Sequence, residues 1–284
     1  MARSQTEFRI PTAPRSIEKG SSLAKLLDTE AIECLAHNIG MVHRTFDQKR
    51  FKKTAHDGLE PLGILDRGHH LAAVLREYLP TAYQDAINIL LASLTPPQTA
   101  TEDLGLAVFF YLPHVSFIAK YGLGLDDFDT SMQAQYEITR RFSAEFSIRP
   151  FLIQHQKRTL ERLNEWAHDP CPHVRRLCSE GTRPRLPWAI RIPAFIKDPS
   201  PCIPILEHLK DDSDLYVRRS VANHLGDIAK DHPEMAFEIA HQWIEGASEE
   251  RKWLIRHAVR HPAKKGHPEA LKLRLLARPT SRKR

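Results

Sequence analysis

The second half of the chain repeats itself, and a degenerate repeat limits the possible folds more tightly than composition does. Residues 138–145 read ITRRFSAE, 173–180 HVRRLCSE, 216–223 YVRRSVAN and, more weakly, 254–261 LIRHAVRH. Equivalent positions are separated by 35, 43 and 38 residues. Acid-rich turns at Asp169, Asp211-Asp212 and Glu249-Glu250 precede the last three copies. A unit of this length with helical apolar spacing cannot bury its own hydrophobic face, so consecutive units must stack.

The rest of the chain is also helical in pattern. Ser21-Ser22 cap a Leu23, Leu26, Leu27 spacing, and Pro80 divides a helix pair over 69–78 and 82–94, closed by Pro96-Pro97. Residues 102–111 and 126–146 continue it. No period-two alternation stands out, and 12 glycines in 284 residues argue against a sheet-rich fold. Neither a GxxxxGK[ST] nor a GxGxxG phosphate loop occurs. The expectation is an all-α solenoid of HEAT-like helix pairs, roughly six or seven of them, whose second helices line a concave groove. Residues 1–20 read as a flexible arm, 21–275 as the solenoid and 276–284 as a basic tail.

The four cysteines form no CxxC pair, which excludes a zinc ribbon or disulfide framework. The N-terminus lacks the apolar core of a signal peptide. The most apolar stretch, 104–119, is too short to span a bilayer and is interrupted by Pro113 and His114. A cytoplasmic protein with no membrane association is expected.

Charge is unevenly placed. The whole chain carries +6, yet residues 251–284 hold twelve Lys and Arg against the single acid Glu269, which leaves −5 on the first 250 residues. Such an end-loaded cation suits a phosphate backbone or an acidic membrane surface, and equally a solvated tail.

The helix beginning near Val217 shows what the repeats place on the groove. Val217, Val221, Leu225 and Ile228 form one apolar stripe. Arg219, Asn223, Asp227 and Lys230 form a polar stripe at the same intervals. Arg141, Glu145 and Arg149, then Arg176 and Glu180, repeat that chemistry in phase. Any one Arg–Glu pair at this spacing is ordinary surface pairing, worth about 0.3–0.5 kcal/mol. Arg175 and Arg218, the first arginines of their doublets, read as staples between repeats. Recurring carboxylates are harder to dismiss, because a surface that only grips phosphate avoids acids. Glu145, Glu180 and Asp227 point to a cation, or a developing positive charge. Between repeats, EGTRPRLPW (180–188) is stiffened by Pro184 and Pro187 and ends on Trp188. That tryptophan is either core filling or a flat aromatic wall for a cationic ring.

AEFSIRPFL (144–152), VRRLCSEGTRPRLPWA (174–189), DPSPCIPILEHLKDD (198–212) and YVRRSVANHLGDIAKDHPE (216–234) resemble the bacterial DNA alkylation-repair proteins with HEAT-like repeats, specifically AlkC-type 3-methyladenine DNA glycosylases. The resemblance runs from about 21 to 275 and is densest over 136–260. It implies a monofunctional glycosylase that hydrolyses the N-glycosidic bond of 3-methyladenine or 3-methylcytosine in bent duplex DNA, without extruding the base. It places the active-site carboxylates on Glu145, Glu180 and Asp227 and the active-site tryptophan on Trp188. It implies a monomer working on alkylated double-stranded DNA without metal or other cofactor. Phosphate contacts are expected from Arg176, Arg183, Arg185, Arg219, Lys230, Lys264, Lys265 and the terminal SRKR. The immunoglobulin-like domain that some relatives carry after the solenoid is not expected here. A catalytically silent nucleic-acid-binding module and a protein-interaction scaffold are the rival readings. The first predicts lost carboxylates, the second an apolar groove.

Overall fold

A computed structural model of the chain describes residues 7–279 apart from Glu18 and residues 102–104. The chain forms two compact units, residues 1–148 and 149–284. Both are helical, and no strand occurs among the described residues. No helix is long and apolar enough to cross a membrane.

The first unit contains α1 (Thr29–Val42), α2 (Gln48–His56), α3 (Ile64–Tyr78), α4 (Tyr83–Ala92), α5 (Leu112–Tyr121) and α6 (Phe128–Thr139). Asp28 and Asp47 cap α1 and α2 by accepting the backbone N–H of Glu30 and Arg50. Ser22 also caps as expected, although the turn it starts, Leu23–Leu27, is a 3-10 helix. α3 lies against α5 at Gly68, where a Cβ would sit 3.2 Å from Leu112 Cβ. The expected arm is tied down over residues 9–14. The side chain of Asn38 brackets the backbone of Arg9 as both donor and acceptor, Glu30 accepts from Thr12, and Leu106 N–H donates to the Pro14 carbonyl. Residues 1–6 of that arm and the SRKR of the tail lie outside the described residues.

One expectation is corrected here. The repeat at 138–145 does not continue as a second helix: α6 ends at Thr139, and residues 140–147 turn. Local bonds compete with the helix ladder, since Thr139 Oγ1 accepts from Ala144 N–H and the Arg141 guanidinium donates to the carbonyls of Glu137 and Thr95. Pro150 then falls in the first turn of the next helix, where its missing N–H costs nothing; a helix running through it would break.

The second unit contains α7, which spans Ile148–Gln154 and so starts at the boundary, then α8 (Gln156–Trp166), α9 (Pro172–Gly181), α10 (Pro193–Lys197), α11 (Ile203–Leu209), α12 (Leu215–Asp231), α13 (Pro233–Ile244), α14 (Glu249–Ala258), α15 (Arg260–Lys264) and α16 (Pro268–Leu276). The three later repeat copies fall on α9, α12 and α14, and α12 packs between the other two. Val217, Val221, Leu225 and Ile228 are all buried in that packing. Gly226 brings α12 close to α14, its Cβ position lying 3.0 Å from the Ala258 carbonyl oxygen. The acid-rich turns link neighbours as staples. Arg175 makes a two-pronged pair with Asp212 (2.6 and 3.0 Å) while donating to the Asp169 carbonyl, and Arg251 pairs with Asp211, whereas Arg218 donates to the Asp212 carbonyl in the turn before its own helix and so does not join two repeats there.

Two imidazoles are sealed into the units. Burial pushes His114, in α5, down to about 3. Burial, reinforced by Arg183, pushes His224, in α12, down to about 4. The unfolded chain protonates both near the usual 6.5, so between about pH 6.5 and 4 it binds more protons than the folded chain. Stability therefore rises with pH through that window and is lost on acidification, by up to about 1.4 kcal/mol per pH unit for each histidine. His114→Gln should flatten the fall of Tm between pH 7 and 5; an unchanged slope would contradict this.

Candidate active site

The site is built on α9, α12 and the stiff segment that leaves α9. Glu180 sits in the last turn of α9, Asp227 three turns into α12, and both are buried, at 5% and 2% exposure. Buried carboxylates need partners, because an unpaired buried charge is strongly destabilising. The partner is Arg183. Its Nη1 donates to Glu180 Oε1 at 2.6 Å and its Nε to Asp227 Oδ2 at 2.8 Å. One guanidinium thus joins acids that stand 47 residues apart. Glu180 is held from further sides by Ser220 Oγ (2.6 Å, to Oε2) and Arg176 (3.5 Å). Burial would raise its pKa, but the charges of Arg176 and Arg183 with the Ser220 bond hold it below the usual carboxylate range. Asp227 differs: its second oxygen, Oδ1, is met by Lys230 Nζ at 2.7 Å, and Lys230 is half exposed, at 53% of its side chain.

The segment after α9 is fastened from below. Arg149, completely buried, donates to the carbonyl oxygens of Gly181, Arg183, Pro184 and Ile190. Arg185 chelates Asp231 at 2.6 and 2.7 Å, a bond that lowers the Asp231 pKa. At the end stands Trp188, 57% exposed, with φ at +66°, the one positive φ among the described non-glycine residues. A left-handed bulky residue stores strain of about 1–3 kcal/mol and marks functional segments. Trp188 lines a cleft of about 590 Å³ with Arg185, Arg191, Lys230 and Asp231. This exposure excludes the core-filling reading of Trp188.

Beyond Lys230 lies a second cleft, of about 480 Å³, lined by Gly226, Lys230, Pro233, His261, Lys265 and His267. Next to it, Asn223 Oδ1 accepts from His257 Nε2 (3.1 Å) and Arg260 Nη2 (2.9 Å). Burial, then Arg260 and Arg219, hold His257 down to about 4, so it stays neutral.

The expected site residues therefore separate. Glu180, Asp227 and Trp188 all belong to the second unit. Glu145 belongs to the first, on the turn after α6, with Oε2 accepting from Ser143 Oγ at 2.8 Å. Of the expected phosphate contacts, Arg219, Lys230, Lys264 and Lys265 are exposed. Arg176 lies over the Tyr216 ring at 5.1 Å while facing Glu180. Arg183 is withdrawn from that set: it is buried and paired with both acids through Nη1 and Nε. Arg185 is likewise committed to Asp231. Arg149 as a bolt, Ser220, Asp231, Arg260 and His261 were not singled out for these roles. Asp231 alone carried a local signal, one helical turn beyond Asp227. No group of three or more His, Cys, Asp or Glu among the described residues is arranged to hold a metal ion.

Comparison with known proteins finds similarities that cover most of this chain and about two thirds of each relative's length. The uncharacterized protein YhaZ of Bacillus subtilis (strain 168) is 37% identical over 254 residues, covering 89% of this chain and 68% of that protein. The structure of Pseudomonas fluorescens alkylpurine DNA glycosylase AlkC, bound to DNA containing an abasic site analog, superposes with a TM-score of 0.80 at 38% identity, covering 89% of this chain and 67% of the other. No family model matches.

Proposed function

The chain belongs to the AlkC family of alkylpurine DNA glycosylases, and from that premise we propose that it is a monofunctional glycosylase that releases cationic N3-alkylated bases, 3-methyladenine and 3-methylcytosine, from duplex DNA. The observation that carries this reading is the pairing of two buried carboxylates through one arginine beside an exposed, strained tryptophan.

Methylation at N3 puts a positive charge on the base, which then leaves as a neutral molecule. No general acid is needed. The barrier that remains is the positive charge spreading over the deoxyribose as an oxocarbenium ion. A carboxylate already fixed in a dry setting stabilises that charge without reorganising as it forms. Asp227 is the carboxylate for this role, since Oδ2 is anchored by Arg183 while Oδ1 faces a half-exposed lysine. Glu180, gripped from three sides, acts by fixing Arg183 and is a positioning residue. Trp188 packs against the cationic lesion or its sugar, and the duplex is read without extruding the base. Arg219, Lys264 and Lys265 meet phosphates.

Incubation with duplex DNA methylated at N3 should free 3-methyladenine and leave an abasic site. Binding of that duplex with no base released would overturn the glycosylase reading in favour of a silent DNA-binding module. Trp188→Gly separates chemistry from folding. Removing left-handed strain from an exposed residue should raise Tm by about 1–3 °C. Loss of an aromatic contact of about 1–3 kcal/mol should lower release roughly tenfold or more.

A further inference from the structure

We infer that Lys230 is a latch on Asp227 that a DNA backbone phosphate opens, by drawing the lysine into the cleft it shares with His261, Lys265 and His267. The inference rests on the glycosylase reading only for the consequence of opening. The latch itself is a competition between two anions for one ammonium.

Four observations place it. Asp227 is buried and its Oδ2 is held by Arg183, which leaves Oδ1 as the oxygen that Lys230 meets. Lys230 Nζ covers Oδ1 at 2.7 Å from one helical turn further along α12. Lys230 is also the residue common to both clefts, the one with Trp188 and the one with His261. The second cleft has two lysines and two histidines in its lining and no acid. The charges crowding His261 (Arg260, Lys230, Lys264 and Lys265) add to burial in holding its pKa down, as expected for a positively charged recess.

A phosphodiester entering this recess offers Lys230 a second anion that Lys265 and the histidines help to hold. The ammonium then moves from Asp227 to the phosphate, and Oδ1 loses its donor. A buried carboxylate oxygen without a partner is costly. The open state is therefore favoured when another cation takes the vacated place, and a methylated base with its sugar supplies one. Undamaged DNA brings the phosphate but no such cation. Lys230 is a positioning residue in this scheme: it governs when Asp227 can face the lesion.

The test is a binding cycle on undamaged duplex DNA with wild type, Asp227→Asn, Lys230→Met and the double variant, which needs no base release. Removing the competing carboxylate should tighten binding about fivefold where Lys230 is present and by less than 1.5-fold where it is Met. An equal gain in both backgrounds would mean simple loss of repulsion and would overturn the latch. The second arm uses duplexes carrying single methylphosphonate linkages, and it decides the matter if Asp227→Asn folds poorly. One linkage should weaken binding about tenfold in wild type and leave Lys230→Met and His261→Gln/Lys265→Gln unaffected. Equal loss in all three proteins at every linkage would overturn the phosphate seat. A wild type that passes both arms yet frees no methylated base would refute the glycosylase reading and leave the latch standing.

Discussion

Asp227→Asn should reduce single-turnover release of 3-methyladenine by about 10²–10³-fold, the scale on which a preorganised charge aimed at a transition state contributes. The amide keeps the shape of the carboxylate and can still accept from Arg183, so the fold around it should persist. It no longer offers negative charge to the deoxyribose. Duplex binding should be retained or strengthened, because Lys230 loses its competing carboxylate and is free to meet a phosphate. The decisive comparison is release measured at saturating protein, where any change in affinity drops out. A variant that matches wild type there would remove Asp227 from the chemistry without touching the family assignment. Glu180→Gln should differ in kind: it loosens Arg183, so the rate falls together with Tm, whereas Asp227→Asn affects mainly the rate.

Arg149→Met should cost about 3–4 kcal/mol and lower Tm by about 8–12 °C. The side chain is completely buried, and its guanidinium donates to four carbonyl oxygens that no helix ladder serves. These carbonyls lie along 181–190, the stretch that turns out of α9 and ends near Trp188. Methionine fills much of the volume but takes the donor from the carbonyls of Gly181 and Arg183, which is the expensive way to lose a hydrogen bond, while Pro184 keeps the Ile192 N–H. Arg149→Lys should recover only part of the loss, since an ammonium cannot reach four acceptors spread across the plane of a guanidinium. Thermal unfolding followed by circular dichroism checks both variants. A drop of less than 3 °C for Arg149→Met would show that the segment holds its path without this bolt.

These two residues show how differently the site could be read in advance. Asp227 falls on a polar stripe of a helix whose opposite stripe is apolar, and intervals of three and four residues place it there without any tertiary information. Trp188 could be picked out as the end of a proline-stiffened segment. Arg149 matched the same phase as Glu145, yet the structure separates them: one is a buried bolt and the other sits on a turn, because Pro150 ends any helix that would carry both. Arg183 looked like a phosphate contact for the good reason that arginines beside a basic groove usually are. Its burial depends on α9 and α12 packing together.

The periodicity of the chain was sufficient to establish an all-helical repeat and the faces that its helices bury, and it singled out Glu180 and Asp227 on polar stripes. Those properties are local: they depend on 3.6 residues per turn and on side chains a few positions apart. Tertiary structure decided which distant charges neutralise one another and that Trp188 takes a left-handed backbone. Ion pairing falls off with distance in space and is indifferent to distance along the chain. Arg183 meets an acid 44 residues away only once α9 and α12 have closed on each other.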